Sequence, residues 1–208
     1  MKKVLLLGAI LLIGTQAMAN QGSSEKRFGN WTNKLTVTGA MQVNEDTGEF
    51  NWDGDAFGTS LEVDYALMYN ITNRGRLGLE LGYVNQDVKD GLKDQMGTST
   101  IDSMKLGIIG EYDVYSKDNT TIYLTGSFGA QSGSVTTTTI NYPDKGEFKL
   151  ETVSYVKLGV GATYKAFLVE TGVQGVAYKA NAKANGIKAV DDETIVESEI
   201  YLSVGIKL

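Results

Sequence analysis

The residues in this sequence that could do chemistry are chiefly paired carboxylates. Glu197 and Glu199 stand two positions apart near the C-terminus, and an extended strand would place them on one face, about 7 Å apart. Such a pair can act as general acid and general base in hydrolysis. The sequence has no histidine and no cysteine, however, which removes the commonest proton carrier and all thiolate chemistry. We therefore predict no catalytic residue, no cofactor and no enzyme activity, and interpret the two glutamates as members of an ion-pair network.

A second group of carboxylates lies in one polar stretch of the first third of the chain. Its members are Glu45, Asp46, Glu49, Asp53 and Asp55. Clustered carboxylate oxygens are the ligands that Ca²⁺ prefers, but the spacing does not match an EF-hand loop. We predict a solvated acidic loop without a metal site, and Ca²⁺ binding is the alternative.

The element that must position the first pair is an unusually regular strand. From Glu197 to Leu208 apolar and polar residues alternate without a break, which is typical of a strand with one face in an apolar medium. The same period-two pattern recurs at 34–44, 58–71, 76–88, 101–114, 121–132, 150–164 and 167–179. Proline occurs once, as expected of a chain made mostly of paired strands. We predict an all-β fold: a closed, eight-stranded, antiparallel, up-and-down transmembrane barrel.

The connections between these strands alternate in length. Long polar connections are predicted at 46–57, 89–100, 133–149 and 180–193, and short links at 72–75, 115–120 and 165–166. Outer-membrane barrels have this asymmetry, with long loops outside the cell and short turns in the periplasm. We therefore predict four long extracellular loops, with both chain termini on the periplasmic side.

The N-terminal segment has the pattern of a secretory signal peptide. Lys2 and Lys3 precede an apolar run, Val4–Ile13, and Ala17 and Ala19 form an A-x-A cleavage pattern. The run is too short for a spanning helix, which needs about 20 residues. A membrane anchor is the alternative. We predict a signal peptide at 1–19, a polar periplasmic lead-in at 20–33 and the barrel at 34–208.

Alternation alone does not say whether the apolar face points inward, as in a water-soluble lipocalin-like barrel, or outward into lipid. Aromatic residues on the apolar face favour lipid, because they gather near the strand ends as membrane-interface girdles do. The predicted girdle residues are Tyr69, Tyr83, Tyr112, Phe128, Tyr164 and Phe167. The polar face mixes charge with glycine, which suits the narrow interior of an eight-stranded barrel.

The charged residues of the polar face would then meet inside the barrel. The predicted lumen ion-pair network consists of Asp64, Glu80, Lys105, Glu111, Lys157, Glu170, Glu197, Glu199 and Lys207. Buried charges must be paired and hydrogen-bonded. Such a network could form a closed plug, and a gate in a narrow pore is the alternative.

The tail "IYLSVGIKL" bears on how the barrel reaches its membrane. We interpret its apolar residues Leu202, Val204, Ile206 and Leu208 as an insertion signal. With the signal peptide, the eight alternating strands and the loop asymmetry, the chain resembles the small eight-stranded outer-membrane barrels: the OmpA-type transmembrane domain, OmpX and the opacity-type adhesins. Their tails usually end in Phe or Trp, whereas this one ends in Leu208. The resemblance implies a location in the bacterial outer membrane, outer-membrane lipid around the barrel, and a barrel assembly machinery that binds the C-terminal strand.

Two functions fit these features. The first is a structural and surface-interaction role, adhesin-like, in which the long loops contact an extracellular ligand or a host surface. The second is a narrow porin-like channel for ions or small solutes. The net charge of −6 argues against nucleic acid as a partner.

Overall fold

The computed structural model of the protein describes residues 30–42, 57–88, 100–141, 144–184 and 187–208. The predicted signal peptide, the lead-in up to residue 29 and the acidic stretch Glu45–Asp55 lie outside the described residues. The same holds for residues 46–56 and 89–99, which make up nearly all of the first two predicted long loops. In the described ranges, no helix is long and apolar enough to cross a membrane.

The described chain forms eight strands. They are β1 (Trp31–Gln42), β2 (Phe57–Asn70), β3 (Gly75–Val88), β4 (Thr100–Lys117), β5 (Thr120–Asn141), β6 (Asp144–Tyr164), β7 (Phe167–Ala184) and β8 (Ile187–Lys207). Each strand pairs antiparallel with the next, and β1 pairs with β8 to close the barrel. The predicted fold class is confirmed.

The polar faces of the strands point inward and the apolar faces point outward. In β4, for example, Ser103 and Lys105 are buried, whereas Met104 and Leu106 are exposed. Because each strand alternates in this way, the outer wall is a continuous band of Leu, Val, Ile and aromatic side chains. A lipocalin-like barrel would have the opposite arrangement, so that alternative is wrong.

Glycines make room for large side chains in the narrow interior. A methyl carbon built at Gly161 would lie 2.6 Å from Cε2 of Tyr123, and one at Gly159 would lie 2.9 Å from Cζ of Tyr201. Both distances are shorter than a non-bonded carbon contact allows. The tyrosine rings therefore occupy the space that the glycines leave, and the interior is filled rather than hollow.

Two of the four predicted long loops are wrong. The segments 133–149 and 180–193 are mostly strand, since β5 continues to Asn141, β6 begins at Asp144, β7 continues to Ala184 and β8 begins at Ile187. The run from Val135 to Ile140 lacks alternation, but its threonines and other β-branched residues suit a strand. Its ladder with β6 extends to the pair Asn141↔Asp144.

The strand ends on the opposite side also differ slightly from prediction. β1 begins at Trp31, before the predicted start at residue 34, because Trp31 pairs with Tyr69 on β2. The two rings are in edge-on contact, with their centres 5.2 Å apart. β4 continues to Lys117, and its turn to β5 consists of Asp118 and Asn119. Asp118 has a φ of 52°, a left-handed conformation that Asp adopts more readily than most residues.

The four strands β5–β8 continue past the last pairs that join them to β4 and β1. β4 pairs with β5 only as far as Met104↔Ser132, and β1 pairs with β8 only as far as Gln42↔Glu199. Beyond these pairs β5–β8 remain joined to one another. We call this four-stranded extension the protruding sheet; it comprises residues 133–141, 144–152, 178–184 and 187–198.

Candidate functional site

The lumen contains two groups of charged side chains. The lower cluster lies near the short turns and consists of Lys34, Arg76, Glu111, Asp113, Glu170 and Lys207. Lys34 Nζ is 3.1 Å from Glu111 and 2.5 Å from Glu170. Arg76 Nε and Lys207 Nζ each lie 2.8 Å from Glu111, and Arg76 also pairs with Asp113. Three cations thus face three carboxylates, so the lower cluster is balanced in charge.

Tyr123 on β5 also contacts the lower cluster. The Tyr123 hydroxyl donates to Glu170 at 2.7 Å, and Lys207 Nζ lies 3.3 Å from the centre of its ring. A lysine so placed is attracted by the negative face of the ring. The side chain of Tyr123 is fully buried, so this end of the lumen is closed by packed side chains.

The central cluster lies in the middle of the barrel and consists of Glu62, Asp64, Glu80, Lys105 and Lys157. Lys105 Nζ is 2.8 Å from Glu62 and 3.0 Å from Asp64. Lys157 Nζ is 3.4 Å and 3.5 Å from the same two carboxylates. Because three carboxylates here face two lysines, this cluster carries an excess of negative charge.

Neutral donors also bond to the carboxylates of the central region. Tyr155 donates to Glu80 at 3.0 Å. Gln174 donates at 2.6 Å both to Glu62 and to Glu199, and so bridges them. Gln86 makes a further bond to Glu199 at 3.2 Å. Such bonds add to the stabilisation of these buried carboxylates.

The structure places the predicted network residues as follows. Asp64, Glu80, Lys105, Glu111, Lys157, Glu170, Glu197 and Glu199 are buried in the lumen, and Lys207 is partly buried there. Four further charged residues belong to the same clusters and were not predicted as members: Lys34, Glu62, Arg76 and Asp113. Lys34 and Arg76 stood at the first position of their predicted strands. The alternation of the two strands nevertheless indicates that both side chains point into the lumen.

The outer wall carries the predicted aromatic residues at its two ends. Tyr69, Tyr112, Tyr164 and Phe167 are exposed near the short turns, Phe128 is exposed on β5, and Tyr83 is half-buried on β3. Trp31 and Tyr115 are also exposed near the short turns. Their common level is the feature expected of a girdle at a membrane interface.

The C-terminal tail completes the barrel wall. Leu202 and Val204 point outward, whereas Ile206 and Leu208 are partly buried. Leu208 exchanges two backbone hydrogen bonds of 2.8 Å with Asn33 on β1. The last residue of the chain is therefore part of the closing ladder, and its role as an insertion signal stays a prediction.

Among the residues that the structure describes, no group of three or more carboxylates is arranged to hold a metal ion. The acidic stretch considered for Ca²⁺ falls outside those residues.

A closed barrel with an apolar wall and a charged interior is the architecture of bacterial outer-membrane proteins. The sequence matches the family described as autotransporter beta-domain over residues 34–178. This match spans more than half of the chain, so the chain belongs to the autotransporter beta-domain family and lies in the bacterial outer membrane.

Solved structures share the fold at low sequence identity. The outer-membrane protein AlkL, solved in lipid bilayers, is 11% identical, with 90% of this chain and 92% of that chain covered and a TM-score of 0.50. Ail of Yersinia pestis is 12% identical (87% and 99% covered, TM-score 0.46). The N-terminal barrel of Pseudomonas aeruginosa OprF is also 12% identical (86% and 99% covered, TM-score 0.44). No curated protein matches the sequence.

Proposed function

We propose that the protein is a structural and surface-interaction barrel with a filled lumen, and that the protruding sheet contacts molecules outside the cell. The observation that carries the proposal is the continued pairing of β5–β8 beyond the last pairs of β1 and β4. Pairing of this extent presents a rigid surface, and rigidly held surfaces away from the barrel are where binding is expected.

The filled lumen supports a scaffold rather than a conduit. Its two charge clusters lie at different levels, and the buried rings of Tyr123 and Tyr201 fill the space left at Gly161 and Gly159. An eight-stranded barrel has an interior just wide enough for its own side chains. The body of the protein then serves to anchor the protruding sheet in the membrane.

A narrow channel is the second candidate function, and the composition of the central cluster favours it. Glu62, Asp64 and Glu80 outnumber Lys105 and Lys157. An excess of carboxylates attracts cations, so a wet lumen of this composition would prefer cations to anions.

The orientation of the barrel is the first part of the proposal to test. An epitope tag inserted beside Thr137 in the protruding sheet should be reached by antibody on intact cells. A tag at Asn73, in the short connection between β2 and β3, should be reached only after permeabilisation. The reverse pattern of accessibility would place the protruding sheet in the periplasm and overturn the proposal.

The interaction role can be tested by shortening the sheet. A variant in which residues 135–149 are replaced by a tight turn keeps the β5–β6 pairs below Glu151 that belong to the barrel. Cells that display this variant should lose adherence to surfaces and to other cells, at an unchanged level of folded protein in the outer membrane. Adherence equal to that of the full chain would refute the proposed role.

A further inference from the structure

We propose that the short-turn end of the barrel carries a binding site for the headgroup of one anionic phospholipid. We call this the headgroup site; it lies where β4, β5 and β6 end and consists of Lys117, Thr120, Tyr164 and Lys165. The site is at the end of the barrel opposite the protruding sheet and does not depend on the role of that sheet. Its ligand belongs to the membrane leaflet that the short turns face.

Three residues of the headgroup site lie side by side on the outer face of the wall. Lys117 is paired with Thr120, and Thr120 is paired with Tyr164. Because Thr121 is buried in the lumen, its neighbour Thr120 points outward, and its two partners share that face. Lys117 and Tyr164 are both exposed. Since adjacent strands are about 4.8 Å apart, the row spans roughly 10 Å from the first Cα to the third.

Lys165 brings a second positive charge to the same row. Its Nζ lies 5.7 Å from the centre of the Tyr164 ring, within the range of a cation–π contact. Its backbone is also held, because the Lys165 N–H donates to the carbonyl of Asn119 at 2.8 Å. This bond joins the turn between β4 and β5 to the turn between β6 and β7. Two lysines from neighbouring turns therefore stand on the two sides of Thr120.

The two lysines differ from those of the lumen in their pairing. Neither Lys117 nor Lys165 forms an ion pair with another residue of the described ranges, whereas four lumen lysines do: Lys34, Lys105, Lys157 and Lys207. The exposed carboxylate of these turns is that of Asp118. Two lysines against one aspartate leave an excess of positive charge, which attracts an anion from outside the chain.

The middle of the row suits a phosphate group. Thr120 has the shortest side chain of the row and is half-buried, so a gap is left between Lys117 and Tyr164. The threonine hydroxyl can donate one hydrogen bond and each ammonium group can donate three. A phosphodiester in this gap would meet donors from below and from both sides, and charge-assisted bonds of this kind are the stronger ones.

The surroundings of the headgroup site favour a lipid over a soluble anion. Tyr115 and Phe167 are exposed on its two sides, and aromatic residues of this kind mark the level of lipid headgroups. Towards the middle of the membrane the same outer face continues with the exposed pair Ile122 and Ala162. A phosphate at Thr120 would therefore have its acyl chains along an apolar wall, as a phospholipid requires.

The excess positive charge also distinguishes between phospholipids. Phosphatidylethanolamine has an ammonium group beside its phosphate, and that group would face the like charges of Lys117 and Lys165. Phosphatidylglycerol has the phosphate alone. Basic side chains at a membrane surface strengthen the binding of anionic lipids, each by a similar amount. The site therefore prefers phosphatidylglycerol or another anionic phospholipid.

The connection between β2 and β3 provides a matched comparison. Arg74 is exposed there, and the exposed ring of Tyr112 lies nearby because Tyr112 pairs with Gly75. This connection, residues 71–74, has one cation, whereas the headgroup site has two. Arg74 thus shares the level and the aromatic neighbour but lacks the second lysine.

The first test measures lipid binding to the full chain by native mass spectrometry in detergent micelles. The unmodified protein should bind one molecule of phosphatidylglycerol about tenfold more tightly than phosphatidylethanolamine. Lys117→Ser and Lys165→Ser should each weaken the binding of phosphatidylglycerol about fivefold. Lys117→Arg, which keeps the charge, should bind like the unmodified chain, and so should Arg74→Ser.

The second test locates the headgroup and needs no variant. In nanodiscs that contain phosphatidylglycerol, solid-state NMR can detect dipolar coupling between lipid ³¹P and the side-chain ¹⁵N of assigned lysines. Lys117 and Lys165 should both show this coupling. The buried ammonium group of Lys105 should show none.

Four results would overturn the inference. Equal affinity for the two phospholipids would remove the preference for an anionic headgroup. A loss of binding in Arg74→Ser as large as that in Lys117→Ser would mean that the whole rim attracts anions without a site. Displacement of the lipid by an equal concentration of inorganic phosphate would indicate a site for free anions. Tighter binding of lipopolysaccharide through the same lysines would assign them to the outer leaflet.

Discussion

The strands β5–β8 have two different surroundings along their length, and the difference separates the scaffold from the proposed interaction surface. Inside the barrel each strand is bonded on both sides, and the inward charges are buried in clusters. In the protruding sheet the outer sides of β5 and β8 are not paired with another strand among the described residues. The ion pair Lys149–Glu151 in this sheet is exposed, with 41% of the Lys149 side chain and 37% of the Glu151 side chain accessible to solvent. Closure of the ladder therefore produces a rigid anchor, and its opening leaves the surface that we propose as the interaction site.

The largest expected effect is the loss of a lumen cation. Lys105→Met would leave Glu62 and Asp64, now at 2.8 Å and 3.0 Å from Nζ, without their nearest positive charge. Removing one partner of a buried ion pair costs about 3–5 kcal/mol. Denaturant titrations in lipid vesicles measure the free energy of unfolding. A loss below about 1 kcal/mol, the range of surface pairs, would contradict a dry, filled lumen.

A charge placed on the outer wall should have the next largest effect. Leu79 is 63% exposed in the middle of β3, and an arginine near the bilayer midplane costs about 2–4 kcal/mol. Leu79→Arg should therefore destabilise the folded barrel by this amount in vesicle folding titrations. Thr194→Arg, on the exposed part of β8 in the protruding sheet, is the control. If the two changes have equal effects, the outer wall is not in lipid.

Filling the space of a lumen glycine should have a smaller effect. A Cβ at Gly161 would meet the ring of Tyr123, whereas Gly39 on the outer wall has nothing within 4 Å. Overpacking a filled interior costs about 1–3 kcal/mol. Gly161→Ala should therefore lower the free energy of unfolding by this amount, and Gly39→Ala should lower it by less than about 0.5 kcal/mol. The thermal unfolding midpoints of the two variants in the same detergent would show which loses more stability. If Gly161→Ala unfolds at the same temperature as the unmodified chain, the lumen has unfilled space at this position.

The smallest effect is expected in the protruding sheet. Lys149→Met removes one partner of the exposed pair with Glu151, and exposed pairs contribute about 0–1 kcal/mol. Its unfolding free energy should therefore stay close to that of the unmodified chain. A loss as large as that of Lys105→Met would erase the contrast between the two regions.

Alternation in the sequence predicted much of the barrel for a simple physical reason. Period-two patterning fixes which side chains share a face, so the inward positions of Lys105 and Lys157 and the outward position of Leu79 followed from parity alone. The polarity of the two faces then required an apolar medium outside. The number of strands and their antiparallel order followed from the connections.

The partners of the lumen charges could not be predicted in the same way. Lys34 on β1 bonds to Glu170 on β7, which is 136 positions away in sequence and two strands away around the barrel wall. Which residues meet there depends on how far neighbouring strands are offset and tilted, and parity does not contain that information. The protruding sheet was missed for another reason. A run of four threonines, Thr136–Thr139, has strand propensity but no alternation between polar and apolar residues.

The current carried by single barrels in planar lipid bilayers tests the central claim most directly. The account predicts no steady open state for the unmodified protein, because the lower and central clusters and their tyrosines fill the lumen. It also predicts no steady current for Lys157→Met, together with a clear loss of stability from the stranded carboxylates Glu62 and Asp64. A steady, cation-selective current through the unmodified barrel, altered by Lys157→Met with little change in stability, would contradict the account.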